Sequence, residues 1–255
     1  MRKSTEAHWS RFWRERAAIE DVYPTEGKVV EEILGSGPVS GKRVLEVGAG
    51  SGRDSVTLAG AGAVSILLDY SVASLEVARG VASRAGMGVH LVRADALRMP
   101  FRDGTFQVVF HQGLLEHFRD PMPLLRENVR VLGSGGVLLV DVPQRFHLYT
   151  VLKHFLIALG KWFAGWETEF TIGELEGLMR RAGVTVIRRY GDWMVPGLFY
   201  RSLRVVLLRS RVARLPLYPP PVPVVSRVLS FARERFRKTR VSFYTYFVIG
   251  ALGRK

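Results

Sequence analysis

One short stretch combines residue types and spacing suited to holding a charged small molecule. Val44-Leu45-Glu46-Val47-Gly48-Ala49-Gly50-Ser51-Gly52-Arg53-Asp54 runs from an apolar segment through a glycine-rich turn into a helical pattern. Glycines let the backbone turn tightly and approach a ligand, and the N–H groups opening the next helix face it. A dinucleotide turn needs G-x-G-x-x-G, whereas here the spacing is G-x-G-x-G, with Arg53 where the third glycine belongs. A bulky residue there disfavours the close helix–strand packing of that fingerprint. A glycine turn without a ligand is the bland alternative, so the rest of the pattern has to decide.

Two carboxylates extend the pattern. Asp69 ends the run VSILLD, seventeen residues after Gly52, where it could accept both hydroxyls of a ribose or cap the next helix. Asp95, in RADALRMPF, could accept from an adenine amino group, with the Ala96 N–H on a ring nitrogen. In isolation Asp95 reads as a surface turn residue. In series, Gly48–Gly52, Asp69 and Asp95 stand at the carboxyl ends of successive strands, where open α/β sheets bind ligands.

The elements that position these residues follow from hydrophobic patterning. Arg43–Val47, Val64–Asp69, Val89–Val92, Phe106–Phe110 and Val137–Val142 are short, β-branched-rich runs suited to strands buried on both faces of a parallel sheet. Helical patterns over Asp54–Ala61, Ser71–Ala85 and Pro121–Leu132 alternate with them, which predicts a doubly wound α/β sheet. Upstream, His8–Ile19 and Thr25–Leu34 read as helices. Downstream come an apolar helix over Leu148–Phe163, interrupted by Lys153 and His154, and a capping box at Thr171 and Glu174 opening a helix that ends at Gly183. Val184–Tyr190 and Val241–Ile249 read as two further strands.

Composition bounds the class. The chain has 255 residues, 47% hydrophobic and 24% charged, enough for one sizeable α/β core and unlike a disordered or fibrous chain. With no cysteine, a disulfide scaffold, a thiolate metal site and a cysteine nucleophile are excluded. MRKSTEAHWSRFW lacks the apolar run of a signal peptide, and no window suits a spanning helix, so a cytoplasmic location is expected. No His, Asp or Glu pair stands at ligand spacing on one helix face, and no metal is expected. Charge is distributed unevenly. Residues 188–240 hold 13 Lys/Arg against Asp192 and Glu234, while residues 1–187 hold 22 Lys/Arg against 21 Asp/Glu.

Taken together, the motifs E-V-G-A-G-S-G, L-L-D, A-D-A-x-x-M-P-F, F-Q-V-V-F-H-Q-G-L-L-E-H-F and V-L-G-S-G-G-V-L-L-V-D-V-P, in this order, resemble the class I S-adenosylmethionine-dependent methyltransferases, of the type 11 kind that acts on small molecules and lipids. The resemblance implies a Rossmann-like, mostly parallel seven-stranded sheet, with Val241–Lys255 supplying the antiparallel seventh strand. It implies a helical segment at 1–40, a catalytic domain over 41–190 and 241–255, and a basic insertion or lid at 191–240. S-adenosylmethionine would be the cofactor and S-adenosylhomocysteine the product. Glu46 and Gly48 would lie by its methionine part, Asp69 by the ribose and Asp95 with Ala96 by the adenine, with Ala49, Gly50, Gly52 and Tyr70 completing the cofactor site. His111 and Gln112 would sit near the transferable methyl group, and Tyr23 would close over the cofactor.

Methyl transfer from a sulfonium asks the protein chiefly to align the nucleophile and exclude water, with a base only where the acceptor must lose a proton. His111 is the candidate base, or a buried structural histidine. Glu116, His117, His147 and Tyr149 could also serve as that base, though Glu116 and His117 fit an ordinary helical turn closing the site, and His147 and Tyr149, with Tyr23, are acceptor-binding candidates. Trp162, Trp166 and Trp193 could line an acceptor pocket or simply fill core.

The basic segment Phe199–Lys238 interleaves arginine with Leu, Val, Phe and Tyr, and LPLYPPPVP at 215–223 breaks it with an extended stretch. From Val225 onward, Val228, Leu229, Ala232 and Phe236 share one helical face. An anionic membrane surface, RNA phosphates, or a solvated lid over the pocket would each suit this composition. High apolar content favours the membrane over nucleic acid. The expected function is methyl transfer to a small or lipid-like acceptor; the alternatives are an RNA methyltransferase using residues 199–238 and a non-catalytic S-adenosylmethionine-binding regulator.

Overall fold

The computed structural model describes residues 5–15, 27–160, 162, 166–219 and 223–255. Seven strands form one sheet: β1 Arg43–Val47, β2 Val64–Asp69, β3 His90–Arg93, β4 Phe106–Gln112, β5 Leu132–Pro143, β6 Thr185–Asp192 and β7 Val248–Arg254. Their order is β3-β2-β1-β4-β5-β7-β6, with β7 antiparallel to both neighbours. The order reverses between β1 and β4, which pair in parallel with Leu45 opposite Val109. That reversal opens a crevice at the carboxyl ends of the strands, and the first glycine turn lies there.

Helices cover both faces. α2 (Lys28–Leu34), α3 (Arg53–Gly60) and α4 (Val72–Arg84) lie on one side, and α5 (Met122–Val131) and α7 (Ile172–Arg181) on the other. Val30, Ile33 and Leu58 pack with Val44, Phe110 and Leu139 in one core. Leu124, Leu125 and Leu175 pack with Leu45, Val109 and Val140 in the other. Burial on both sides explains why β1, β2, β4 and β5 read as continuous apolar runs. The capping box forms as expected: Glu174 N donates to Thr171 Oγ1, and Thr171 N donates to the Glu174 carboxylate.

The last strand differs from its expected position. Residues Arg240–Tyr244 form a 3-10 turn, and the strand begins at Val248 rather than Val241. Ser242 Oγ donates to Thr239 O (2.8 Å) and Thr245 Oγ1 donates to Ser242 O (2.9 Å), so local hydroxyl bonds outcompete the ladder. The true strand, VIGALGR, is glycine-interrupted because Tyr190 packs over it: a Cβ at Gly250 would fall 2.1 Å from Tyr190 Cζ. The remaining helices are α1 (Glu6–Glu15), α6 (Leu148–Ala158), α8 (Leu198–Arg209) and α9 (Pro223–Arg237). The helix expected over Leu148–Phe163 therefore ends at Ala158, followed by Gly160 at φ 66°.

Candidate active site

The turn after β1 is latched to the end of β2. Gly48 N and Ala49 N both donate to Leu68 O, at 2.8 and 3.0 Å. Gly48, Gly50 and Gly52 all adopt left-handed φ between 55 and 66°. Gly52 also supplies the close helix–strand contact that Arg53 might seem to forbid: a Cβ there would lie 2.2 Å from Leu67 Cδ2. Asp69 organises the loop. Its Oδ2 accepts from Gly50 N (3.1 Å) and Ser74 Oγ (2.9 Å), and its Oδ1 from Ser71 N (2.9 Å). Burial nonetheless raises its pKa, against those bonds. The helix cap itself is Ser71, so Asp69 supports the cap and still reaches the crevice.

A cavity of about 450 Å³ opens at these strand ends. Gly48, Gly50, Asp69, Tyr70, Asp95, Ala96 and Gln112 all line it, so residues from β1, β2, β3 and β4 converge as expected. Asp95 Oδ1 accepts from Leu97 N (2.9 Å), which fixes its turn. Trp9, Phe12 and Trp13 of α1 form a wall across the opening. α1 is held there by packing on Ala73 and Val77 of α4 and by the exposed pair Arg93–Glu6 at 2.8 Å.

The cavity continues into a second half lined by Glu116, His117, Phe118, Asp141, Tyr149, Lys153, Trp162, Glu167 and Phe247. Lys153 is 2% exposed, and its Nζ lies 2.6 Å from Glu167 and 2.5 Å from Glu169. Trp162 Nε1 donates to Glu167 (2.9 Å), and His154 pairs with Glu169. A buried ammonium with two carboxylates is a fixed charge cluster. Beside it Glu116 Oε2 and His117 Nδ1 are buried with no hydrogen-bond partner, and Asp141 is buried against Tyr190 and Gln112. Burial pushes Asp141 up to about 8 and Glu116 well above the usual carboxylate range, and lowers His117, so these groups sit largely neutral. Unpartnered buried polar atoms are costly in an empty protein, and these belong to residues that line the cavity.

Other expected residues lie apart from the cavity wall. Glu46 is buried beneath the turn near Asp54 and Ser55; burial raises its pKa, and its Oε2 has no partner. Ala49 packs with Leu67 and Ala78. His111 is fully buried on the sheet face shared with Val109, outside the cavity lining, and burial lowers it to about 3. Its neighbour Gln112 takes the cavity-facing position. His147 caps α6, its Nδ1 accepting from Tyr149 N (3.2 Å), and opens on a separate cleft of about 650 Å³ with Trp193. Trp166 stacks under Arg119. Tyr23 lies outside the described residues, as do the side chains of Val225 and Val228. The sequence reading missed Trp9, Asp141, Lys153 and Glu167. Its only signal for them was a lysine interrupting an otherwise apolar helix.

Residues 45–140 match the family model described as a methyltransferase domain. That match spans β1 to β5, and the sheet order around it is that of a seven-stranded fold with one antiparallel strand. The chain is 36% identical over 150 residues to a demethylmenaquinone methyltransferase of Mycolicibacterium paratuberculosis, covering 58% of this chain and 56% of the relative. It is 26% identical over 182 residues to a ubiquinone biosynthesis O-methyltransferase of a Ruegeria species, covering 69% and 74%. The chain spans about half the length, or less, of the first curated relatives it matches. In fold, it is similar to a methyltransferase of Thermotoga maritima described as a possible histamine N-methyltransferase (TM-score 0.64, 20% identity, 98% of each chain). It is likewise similar to the magnesium protoporphyrin IX methyltransferase of Synechocystis with S-adenosylhomocysteine bound (TM-score 0.54, 15% identity, 72% of this chain and 77% of that one). The cavity fits S-adenosylmethionine: a positive-φ glycine cradle lies at the β1 end and carboxylates at the β2 and β3 ends.

Proposed function

We propose that the protein transfers a methyl group from S-adenosylmethionine to a small, lipid-like acceptor with an oxygen-bearing ring, of the quinone type for which its relatives are named. The observation that carries this reading is the continuous cavity, one half built from the glycine turn, Asp69 and Asp95, the other walled by aromatic rings around unpartnered polar atoms. Glu46 and the Gly48–Gly52 turn would hold the methionine part, Asp69 and Tyr70 the ribose, and Asp95 with Ala96 the adenine. When bound, the cofactor supplies an already electrophilic methyl group. The protein then has to orient the acceptor and keep water out. Trp9, Phe12 and Trp13 exclude water from above, while Tyr149, Trp162 and Phe247 flank a planar ring. The protonated Glu116 carboxyl can donate to an acceptor carbonyl oxygen. The imidazole of His117, kept neutral by burial on the cavity wall, takes the proton of an acceptor hydroxyl. His111, buried away from the cavity, has neither access nor basicity for that step.

A lipid-soluble acceptor resides in a membrane, and residues 199–238 are the part of the chain we read as meeting it. The test uses methyl-labelled S-adenosylmethionine with a demethylated quinol or with membrane extract. Label in the organic phase supports the reading. Label in ribonuclease-sensitive aqueous material replaces it with RNA methylation, and cofactor binding without transfer to any fraction replaces it with a regulator.

A further inference from the structure

Helix α6 has two faces with opposite surroundings. Tyr149 and Lys153 turn inward and line the cavity. Leu148, Val151, Leu152, Phe155 and Leu159, at spacing i, i+3, i+4, i+7 and i+11, turn outward and are each 48–69% exposed. The buried ammonium is thus inside and a continuous apolar stripe outside, the reverse of an ordinary surface helix. The stripe does not stand alone. Phe146, just ahead of α6, lies 5.7 Å from the ring of Tyr244 in the turn after α9. His147, the α6 cap, shares its cleft with Leu198 of α8 and with Leu229 and Phe236 of α9. The three helices therefore meet at one end of the molecule. α8 adds exposed Phe199, Leu203 and Val206 at i, i+4 and i+7. Exposed Arg209, Arg214, Arg227 and Arg235 flank these, in a segment of 13 Lys/Arg against two acids.

We infer that the outer face of α6, with α8 and α9 beside it, seats on an anionic lipid bilayer, the apolar stripe entering the acyl boundary and the arginines meeting headgroup phosphates. Surface-seated helices combine these two features, and attraction to anionic lipid adds to apolar burial. An RNA partner would match the arginines but leave the α6 stripe in water. A second copy of the chain would bring like charges together. Among the described residues no helix is long and apolar enough to cross a membrane, so the surface is one that rests on the bilayer. For an acceptor drawn from the lipid phase, which rests on the function proposed above, the path is short. The Phe247 ring lies 5.3 Å from Tyr149 on the cavity side and 5.5 Å from His147 on the cleft side.

The test is flotation of the full chain with phosphatidylcholine vesicles, with and without phosphatidylglycerol, compared with V151D/F155D and R227E/R235E. Circular dichroism and S-adenosylmethionine binding are measured on the same samples. Flotation of the wild type with anionic vesicles, reduced about tenfold or more by V151D/F155D and weakened by R227E/R235E and by salt, supports the inference. No flotation of the wild type, or undiminished flotation of V151D/F155D, overturns it. Retention by RNA with no flotation does so too. Cofactor binding without flotation leaves methyl transfer standing and removes the bilayer surface. Flotation without cofactor binding does the opposite.

Discussion

His117 and His111 stand six residues apart and differ in what they can do. His117 lines the cavity as a neutral imidazole, so H117Q should lower kcat by about 100-fold while leaving the cofactor Kd near its wild-type value. Stopped activity with intact binding, measured by calorimetry beside label transfer, is the expected signature. H111Q should leave the pH–rate profile in place and show its effect in thermal unfolding, because its imidazole is sealed in the sheet. Gly52 gives a steric prediction. In G52A the new methyl meets Leu67 and Ala78, at 2.2 and 3.1 Å in the present geometry, on a backbone at φ 66°. The expected loss is roughly 1–3 kcal/mol of stability, read from chemical denaturation, with a weakened cofactor site as the turn shifts. The glycines and carboxylates of this half were legible because strand, turn and helix follow one another locally. Lys153 was not, since its partners Glu167 and Glu169 come from a later segment and burial of the trio is a tertiary fact.

At the scale of elements, β1, β2, β4 and β5 were legible for one physical reason: strands buried on both faces must be apolar throughout. β7 was obscured because tight packing by Tyr190 and Val184 demands glycine at 250 and 253, which erases its hydrophobic pattern. The role of α1 was hidden as well. Its amphipathic sequence announces a helix, but only the fold places Trp9, Phe12 and Trp13 across the cavity. Trp13 is 6% exposed and anchors α1 on α4. W13A should release α1 without unfolding the sheet: hydrogen exchange rises in residues 6–15, strand protection persists, and the cofactor dissociates faster. The capping box at Thr171 opens α7, none of whose residues line the cavity. T171A should cost about 1 kcal/mol of stability with catalysis unchanged.

For the whole molecule, the buried acids make the empty protein sensitive to alkali. Asp141 titrates near 8 in the folded state, against an ordinary value of 3.8, so the native state keeps a proton that the unfolded chain has released. Stability therefore falls as pH rises from about 4 towards 8. Above about 6.5 His111 is neutral in both states and adds nothing to this slope. The melting temperature of the empty protein should drop between pH 6.5 and 8, and D141N should reduce that drop, with buried Glu46, also raised to about 8, supplying the remainder. A D141N curve parallel to the wild type would show that another group controls it.

The position of β7 also governs the order of assembly. β6 has β7 as its sole neighbour in the sheet, and β7 lies between β5 and β6 although it follows both in the chain. During synthesis, then, β1 to β5 can pair as they emerge, whereas β6 waits with an unfilled gap beside it. The basic helices α8 and α9 are made during that wait, tethered at one end only, until Val248–Arg254 slides in and fixes both ends. Nascent chains arrested before residue 248 should show protease-resistant β1–β5 and a labile stretch from β6 onward, so the arginine-rich helices meet solvent and any anionic surface before the sheet is closed.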